Sequence, residues 1–521
     1  MTNIKKVVIK APSQQEHLNP AAMLDPGDLT EWLGSLPLLK PIPTVQQIIE
    51  IVTTLNAQQI SVKKRQQLLD AICETALKIY PSLNPETLAR LSIKETARNQ
   101  VHIQTTQLCT STADGYKIII RDAINNDAKD LEDVIFLPLY HAIELLSLAL
   151  LSSYRNYKAT PVSLYHDIHQ LYLLAEMTGL LDLEIERGSY TLSADTIGQM
   201  YRQIMILAFL DPFHMPPGMV EKLYERLAQM SQYCTILSRV PDPDAAEIFI
   251  VDLYTDEAPR AIYKVSEQAD LKMPRVFDTK PLLNKIRADI TLLQSEDESP
   301  AIKNEMGLLQ RLIPPDKEQV TRKSERMETS RVCRVTFGID AVYHFLNLEK
   351  KELVQVLQSD ADNFGNHALE SWTIINESTE GYSLCNQATT RHDVRVGDIV
   401  GLLTEEAGVG RNHGKIAVIR WMQHSQNDVI NMGLEIIAGN ILPAMCRLLD
   451  AAGSKDTCAG IFISSNSATG MPATLITPKM IYRRGRIMEV TIGEQPMKIE
   501  AGYLRDDTFT YDLFDFISLD S

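Results

Sequence analysis

Two short clusters of polar residues have the types and spacing needed to bind an anionic ligand that also carries bases. The first is an RxxxR pattern formed by Arg322 and Arg326, and the second is an NxSxxG pattern with Asn376, Ser378 and Gly381 at its fixed positions. A guanidinium pairs bidentately with phosphate or with guanine O6 and N7, and it also stacks on a base. A serine hydroxyl and an asparagine amide hydrogen-bond phosphate or a guanine amine, and a glycine permits close backbone approach.

The charge distribution favours a local anion site over a general one. Between Lys317 and Arg334 the chain has six basic and three acidic residues, whereas the whole 521-residue chain has a formal net charge of -16. Broad binding to DNA or RNA needs many Lys and Arg side chains against phosphates, so this composition argues against it. Each pattern alone also has a simpler interpretation: a solvated basic face for RxxxR, and a β-turn bonded to its own backbone for NxSxxG.

The elements that must position these clusters change in kind along the chain. From about residue 31 to 240 the pattern is helical, and the apolar residues from Val45 to Leu55 recur at the spacing of one helix face. Turn residues at Pro241-Asp242-Pro243 end this pattern, and a strand pair and one helix near 279–294 follow. Beyond Pro314, short strands separated by Gly, Asn and Asp turns predict a closed or nearly closed barrel.

The sequence therefore predicts an α+β protein, in which an N-terminal all-α domain is followed by a C-terminal antiparallel β-barrel. Strands after Gly453 are predicted to extend this barrel, and the segment between residues 347 and 371 is predicted to be an inserted helix and loop. The predicted division is a mobile tail over 1–30, an all-α domain over 31–240, a strand pair with a connecting helix over 241–317, and the barrel with its extension over 318–521.

The order of landmarks in the β region resembles that of PilZ domains. RxxxR precedes the first strand, NxSxxG follows a later one, and then come a turn at Gly397-Asp398, a strand ending at Trp421 and another beginning at Gly433. The resemblance covers about residues 318 to 440. The helical part looks only loosely like regions found ahead of PilZ domains in some bacterial proteins, and it indicates no function by itself.

The resemblance implies a receptor for the bacterial second messenger cyclic di-GMP, without catalytic residues, metal or other cofactor. Ligand occupancy would change the domain arrangement or the binding of a protein partner. Glu325 and Glu380 depart from the expected pattern, because they place acid beside the predicted phosphate site. The resemblance assigns the ligand-binding role to Arg322, Arg326, Asn376, Ser378 and Gly381.

The sequence leaves two other functions possible. One is an interaction scaffold whose PilZ-like barrel has lost its ligand. The other is a metal-dependent hydrolase in the helical domain, suggested by His166 and His169, although no second ligand pair supports it and partly exposed helix histidines are the simpler interpretation. The stretch GVGRNHGK over residues 408–415 has the wrong spacing and context for a phosphate loop and predicts a hairpin.

The sequence predicts a cytoplasmic protein without a membrane span. The apolar stretch from Val134 to Tyr154 contains Pro138, His141 and Glu144, and a glutamate near the centre of a bilayer costs about 2.5 kcal/mol or more, so a buried helix is predicted. The N-terminal apolar run is too short for a secretory signal. Seven scattered cysteines without a CxxC pair are typical of reduced thiols.

Overall fold

The computed structural model describes most of the 521-residue chain. The predicted insertion between 347 and 371, the RxxxR residue Arg322 and the predicted boundary at Pro241-Asp242-Pro243 lie wholly or mostly outside the described residues. The described residues are all those of the chain except 1–3, 5–6, 17–18, 20–21, 91–94, 186–191, 239–246, 266–269, 296–298, 315–325, 349–362, 365–366, 388–393, 406–411, 426–428, 450–456, 466–469 and 520–521.

The chain divides into two compact units. The first comprises Met1–Pro212 and Gly218–Thr321, and the second comprises Phe213–Pro217 and Arg322–Ser521. Helices and a small sheet form the first unit, and two β-barrels form most of the second. The predicted α+β class, with helices ahead of antiparallel strands, is therefore confirmed.

Helices dominate the first unit because their apolar residues recur at helical spacing. In the second helix, the predicted stripe from Val45 to Leu55 is buried. The first helix begins at Pro26 because the Asp25 carboxylate accepts hydrogen bonds from the next free backbone N–H groups. The helices of this unit are α1 Pro26–Ser35, α2 Pro41–Asn56, α3 Val62–Ile79, α4 Pro85–Arg90, α5 Glu95–Asn125, α6 Leu131–Arg155, α7 Leu164–Thr178, α8 Ile197–Phe209, α9 Met219–Met230, α10 Lys280–Gln294 and α11 Pro300–Arg311.

The described residues ahead of α1, where the sequence predicts a mobile tail, contact the helices. Gln15 forms a β-bridge with Gln58, and the Val8 backbone N–H donates to Gln170 Oε1 at 3.1 Å. Arg121 donates to the Pro12 carbonyl at 3.0 Å. These bonds satisfy backbone groups of the segment and hold it against α2, α5 and α7.

Helix α6 is the apolar segment for which the sequence predicts burial. It has the length and mean hydropathy of a membrane-spanning helix, but 78% of its most apolar window is buried inside the structure. Glu144, whose presence argued against a span, is 1% exposed. Helix α6 therefore serves as a core helix of the first unit, as predicted.

A four-stranded sheet in strand order β1-β4-β2-β3 completes the first unit and packs on its helices. Gln170 in α7 donates to the Leu253 carbonyl at 2.7 Å, and Arg275 pairs with Glu176. These contacts join the sheet to helices on the other side of the boundary that the sequence predicts near residue 241. The strands are β1 Thr235–Leu237, β2 Ile248–Asp252, β3 Arg260–Ala261 and β4 Pro274–Asp278.

The second unit begins with a closed six-stranded barrel in strand order β10-β11-β12-β9-β8-β5. Every pairing in it is antiparallel, and closure leaves none of its six strands as an edge. A two-stranded ribbon of β6 and β7 precedes β8. The bounds are β5 Met327–Phe337, β6 Asn363–Phe364, β7 His367–Ala368, β8 Glu370–Glu377, β9 Gly381–Gln387, β10 Ile399–Glu405, β11 Asn412–His424 and β12 Val429–Ile436.

The predicted extension is a second closed barrel, in strand order β13-β14-β15-β18-β17-β16. It closes separately because β13 pairs with both β14 and β16, which leaves it no free edge for the first barrel. The core of this barrel includes Met488, Val490, Ile499 and Phe514. Its strands are β13 Ile441–Leu448, β14 Thr457–Ile463, β15 Thr474–Pro478, β16 Ile487–Ile492, β17 Gln495–Asp507 and β18 Tyr511–Ser518.

The two barrels share one hydrophobic core through the helix α12 Ile339–Leu346. Phe345 of this helix packs on the first barrel at Gly401 and Gly414, where an added Cβ would lie 2.8 Å and 3.0 Å from the ring. The same core includes Ile461 of the second barrel. Glycine in two adjacent strands thus makes room for the aromatic ring that joins the barrels.

The buried ammonium of Lys117 provides a test of the helical unit. Lys117 is 6% exposed and lies 2.7 Å from carboxylates of both Asp114 and Asp167. We expect Lys117→Ala to lower the free energy of unfolding by about 3 kcal/mol, because it leaves those carboxylates without their cation. The control Lys78→Ala removes a more exposed pair with Glu74 and should change stability by less than about 0.5 kcal/mol. Thermal unfolding followed by circular dichroism measures both, and equal shifts would contradict the prediction.

Candidate functional site

A cleft of about 260 Å³ lies on the first barrel, where the β8–β9 turn meets the end of β11 and the middle of β12. This volume is just below the range of about 300 to 1,000 Å³ that is usual for small-molecule sites. Both sequence clusters contribute to the cleft, together with residues that they do not contain. Its lining residues are Arg326, Ser378, Glu380, Gly381, Tyr382, Arg420, Trp421, Gly433, Leu434 and Glu435.

The strand register brings these residues together from distant parts of the sequence. Strand β9 lies between β8 and β12, so Gly381 is opposite Glu435 and Ser383 is opposite Gly433. Strand β12 in turn places Gly433 opposite Trp421 of β11. The NxSxxG turn therefore lies two strands from Trp421 on the same barrel wall.

The β8–β9 turn is closed by its own serine and glycine. The Ser378 backbone N–H donates to the Gly381 carbonyl at 2.9 Å, and the Ser378 hydroxyl accepts from the Glu380 N–H at 3.4 Å. An added Cβ at Gly381 would lie 2.1 Å from the Leu434 carbonyl oxygen, so only glycine lets β9 and β12 approach this closely. The Ser378 hydroxyl thus stabilises the turn at the edge of the cleft.

An indole ring lies directly over a glycine in the cleft. An added Cβ at Gly433 would lie 1.9 Å from Trp421 Nε1, so the ring occupies the space that any other side chain would fill. A β-bulge between Ile419 and Trp421 makes Arg420 the extra residue of β11. Bulges re-aim the side chains beside them, and this one directs both Arg420 and Trp421 to the cleft.

The charges of the described lining residues balance. Arg420 is paired with Glu435, and Arg326 and Glu380 are exposed at the rim. Next to the cleft, Lys415 donates to the Tyr382 hydroxyl at 2.6 Å and lies 5.2 Å from the centre of its ring. An anionic ligand that enters the cleft would compete with Glu435 for Arg420.

The structure brings three of the five residues assigned by the resemblance into this cleft. Arg326, Ser378 and Gly381 line it. Asn376 is not among the lining residues; it lies in β8, opposite Glu328 and Ser383. Arg322 lies outside the described residues, so its assignment stays a prediction.

Neither sequence cluster contains Arg420 or Glu435. The sequence identified Trp421 and Gly433 only as the end of one strand and the start of another. Arg-Trp at the end of an apolar strand, followed by a glycine in the next strand, is the signal that would have identified this part of the cleft. An aromatic residue opposite a glycine in an antiparallel pair commonly covers it. Only the strand register shows that the two are opposite each other.

The histidine pair of the helical domain lacks the geometry of a metal site. His169 is fully buried rather than partly exposed as predicted, and both ring nitrogens have partners: the Tyr201 hydroxyl at 2.7 Å and the Glu257 carbonyl at 3.3 Å. Burial lowers the pKa of His169 to about 4. The ring therefore stays neutral and serves as a packed core residue, next to a partly exposed His166.

Family models match the chain in three consecutive parts. Residues 27–242 match the model described as the N-terminal domain of the cyclic-di-GMP receptor FimW, residues 358–443 match its middle PilZ domain, and residues 444–519 match the FimW C-terminal β-barrel domain. The boundary between the last two matches falls in β13, the first strand of the second barrel. The PilZ match includes NxSxxG and Trp421 but begins after RxxxR.

A curated relative has the same extent as this chain. The cyclic-di-GMP receptor FimW of Pseudomonas aeruginosa is 22% identical, and the alignment covers 95% of this chain and 90% of that protein. The similarity therefore extends over the helical part, both barrels and the connections between them.

The contact between the Trp421 indole and Gly433 predicts what happens when Gly433 is replaced by alanine. We expect Gly433→Ala to displace the Trp421 ring and to increase its exposure to solvent, because the new methyl group takes the position of the ring. Acrylamide quenching of tryptophan fluorescence measures this, with Trp421→Phe identifying the contribution of that ring. Gly307→Ala is the control, since its added Cβ has no atom within 4 Å. Unchanged quenching in Gly433→Ala would show that the ring does not depend on the glycine.

Proposed function

Because this chain belongs to the PilZ-domain family, we propose that it is a non-catalytic receptor for cyclic di-GMP and that the cleft on its first barrel holds the ligand. The observation that carries the proposal is the convergence of Arg326 with Ser378 and Gly381 beside Trp421. RxxxR and NxSxxG are about 50 residues apart in sequence, and the antiparallel pairing of β5 with β8 brings Arg326 next to the NxSxxG turn.

The cleft offers groups for both the phosphates and the guanines of such a ligand. Cyclic di-GMP carries two phosphates and two guanines. The Trp421 indole presents an aromatic surface for a guanine, and base stacking on aromatic side chains contributes about 1 to 3 kcal/mol per base. Arg326 and Arg420 carry guanidinium groups that pair bidentately with phosphate or with guanine O6 and N7. Stacking and bidentate pairing together favour a guanine nucleotide over inorganic phosphate.

Binding requires a redistribution of charge inside the cleft. Arg420 is held by Glu435 in the structure, so it must exchange that carboxylate for the ligand to contribute fully. We propose that Arg326, which directly precedes β5, closes over the ligand and that its bound and unbound positions provide the two states of the receptor, while Met327 to Arg334 stay in β5. A ligand shifts such an equilibrium only by its difference in affinity for the two states. The ligand-bound state is the one that changes domain arrangement or binds a protein partner.

The balanced charge of the cleft favours one alternative function. With Glu380 and Glu435 beside Arg326 and Arg420, and with the Ser378 hydroxyl bonded in its own turn, the barrel could serve as a scaffold that binds a protein and no nucleotide. Calorimetric titration of the full chain with cyclic di-GMP, with GTP and cyclic AMP as controls, separates the two functions. Heat with none of the three nucleotides would support the scaffold.

The cellular setting is also part of the proposal. We propose a bacterial cytoplasmic receptor whose cyclic di-GMP site needs no cofactor. The net charge of -16 disfavours general binding to nucleic acids, and we propose that the receiver of the signal is a protein.

Arg326 provides the sharpest test of the ligand site. We expect Arg326→Ala to weaken cyclic di-GMP binding about 5- to 150-fold, because a bidentate pair contributes about 1 to 3 kcal/mol. Arg326→Lys should recover only part of the loss, since an ammonium lacks the planar fork. Arg447→Ala removes an arginine of the second barrel that pairs with Glu489, and it should bind as the parent does. Parental affinity in a folded Arg326→Ala protein would exclude this residue from the site.

Glu380 tests whether acid in the rim opposes the ligand. We expect Glu380→Gln to strengthen cyclic di-GMP binding about 2- to 5-fold at low salt, which corresponds to about 0.5 to 1 kcal/mol for an exposed charge. The gain should shrink as salt is added, because screening weakens exposed charge interactions. Glu494→Gln, in a turn of the second barrel, is the matched control and should leave affinity unchanged. Weaker binding by Glu380→Gln would mean that the carboxylate contacts the ligand favourably.

A further inference from the structure

Three potential metal ligands meet between α3 and α6 in the helical unit, far in sequence from the cleft residues. Cys73 of α3 lies beside His141 and Glu144 of α6, and one ligand atom from each lies within 4.8 Å of the other two. His141 and Glu144 are three residues apart, which places both side chains on one face of α6. Cys73 and Glu144 are buried, whereas the His141 side chain is 24% exposed.

Two of the three distances within this cluster are close to those of a tetrahedral zinc site, and the third is within 4.8 Å. His141 Nδ1 lies 3.3 Å from Glu144 Oε2 and 3.9 Å from Cys73 Sγ. Zinc bonds of about 2.3 Å to sulfur and about 2.0 to 2.1 Å to nitrogen and oxygen place tetrahedral ligand atoms about 3.4 to 3.6 Å apart. Movements of about 1 Å or less by three side chains would therefore complete the geometry.

We propose that Cys73, His141 and Glu144 bind one zinc ion that links α3 to α6. The thiolate, imidazole and carboxylate donor set is one that zinc accepts, whereas calcium and magnesium prefer oxygen ligands alone. Helix bundles commonly build metal sites from side chains on facing helices, including Glu and His at i, i+3 spacing. Three protein ligands leave one position for water, and the exposed part of His141 provides a route from solvent.

Neighbouring aromatic residues hold the imidazole in the orientation that the site needs. The Tyr116 ring stacks on His141 with ring centres 5.4 Å apart, and the Tyr140 ring meets it edge-on at 5.6 Å. The Tyr116 hydroxyl donates to Asp70 Oδ1 at 2.9 Å, which fixes the stacked ring. Partners beyond the ligands orient metal-binding histidines in this way.

The cluster and its neighbours are titratable, so zinc binding should depend on pH. Burial opposes a charged imidazole, but the interactions with Cys73 and Glu144 outweigh it and raise the pKa of His141 well above its usual value. Among the described residues, Asp70, Cys109, Tyr116 and Tyr224 are further titratable groups near the cluster, and burial raises the pKa of each. Zinc binds the thiolate and the neutral imidazole, so its affinity should fall as the pH is lowered.

Metal titration of the intact chain tests the site. After dialysis against a chelator, we expect the protein to take up one equivalent of Zn²⁺ in competition with a chromophoric chelator. Co²⁺ in place of zinc should produce a thiolate-to-metal charge-transfer band. Cys73→Ser should abolish this band and weaken zinc binding by more than the roughly 10- to 100-fold that is typical of losing a second-shell partner.

Matched variants distinguish lost ligands from lost structure. Glu144→Gln keeps the shape of the side chain but removes its charge, and it should also weaken zinc binding. Cys234→Ser changes another buried thiol of the same unit and should bind zinc as the parent does. Circular dichroism confirms that each variant is folded. Failure of the parent to take up zinc, or a charge-transfer band that survives Cys73→Ser, would overturn the proposal; such a band lost in Cys234→Ser but kept in Cys73→Ser would assign the metal elsewhere.

Discussion

The close packing of strands against glycine is the constraint on which the first barrel and its cleft depend. Gly381 lets β9 approach β12, and Gly433 lets the Trp421 indole pack closely against β12. Larger residues at either position would push the strand or the ring outward by more than an interior packed to crystal-like density tolerates. Close packing on glycine also joins the two barrels, since Phe345 packs on Gly401 and Gly414. Glycine thus sets both the shape of the site and its position relative to the second barrel.

Charge inside the cleft determines how such a site responds to a ligand. Because Arg420 is already paired with Glu435, a ligand gains only the difference between its own contacts and the pair that it replaces. Such an exchange lowers affinity, but it also makes ligand binding and the release of Glu435 one event. A receptor benefits from this coupling because a change at the barrel wall accompanies occupancy. A scaffold would keep the Arg420–Glu435 pair permanently.

The helical unit contains clusters of buried polar side chains that pair with one another. Lys117 lies between Asp114 and Asp167, and His141 lies between Glu144 and Cys73. Removing one member of such a group leaves the others desolvated, which is far more costly than removing an exposed pair. Lys117 is the cation of the first group, and the proposed zinc ion would take that role in the second. The second group includes two residues of α6, a helix whose apolar surface is buried among its neighbours.

The sequence by itself determined the class of fold and three of the residues that line the cleft, because those depend on local patterns. Helical spacing from Val45 to Leu55 and alternation in the later strands follow from which side of each element is buried, and RxxxR and NxSxxG are contiguous. Only the tertiary structure decided that Trp421 lies over Gly433, that Arg420 pairs with Glu435, and that the last six strands close as a separate barrel. These features depend on register and closure, which join residues far apart in the chain. The meeting of Cys73 with His141 likewise depends on how two helices pack, and no spacing along the sequence encodes it.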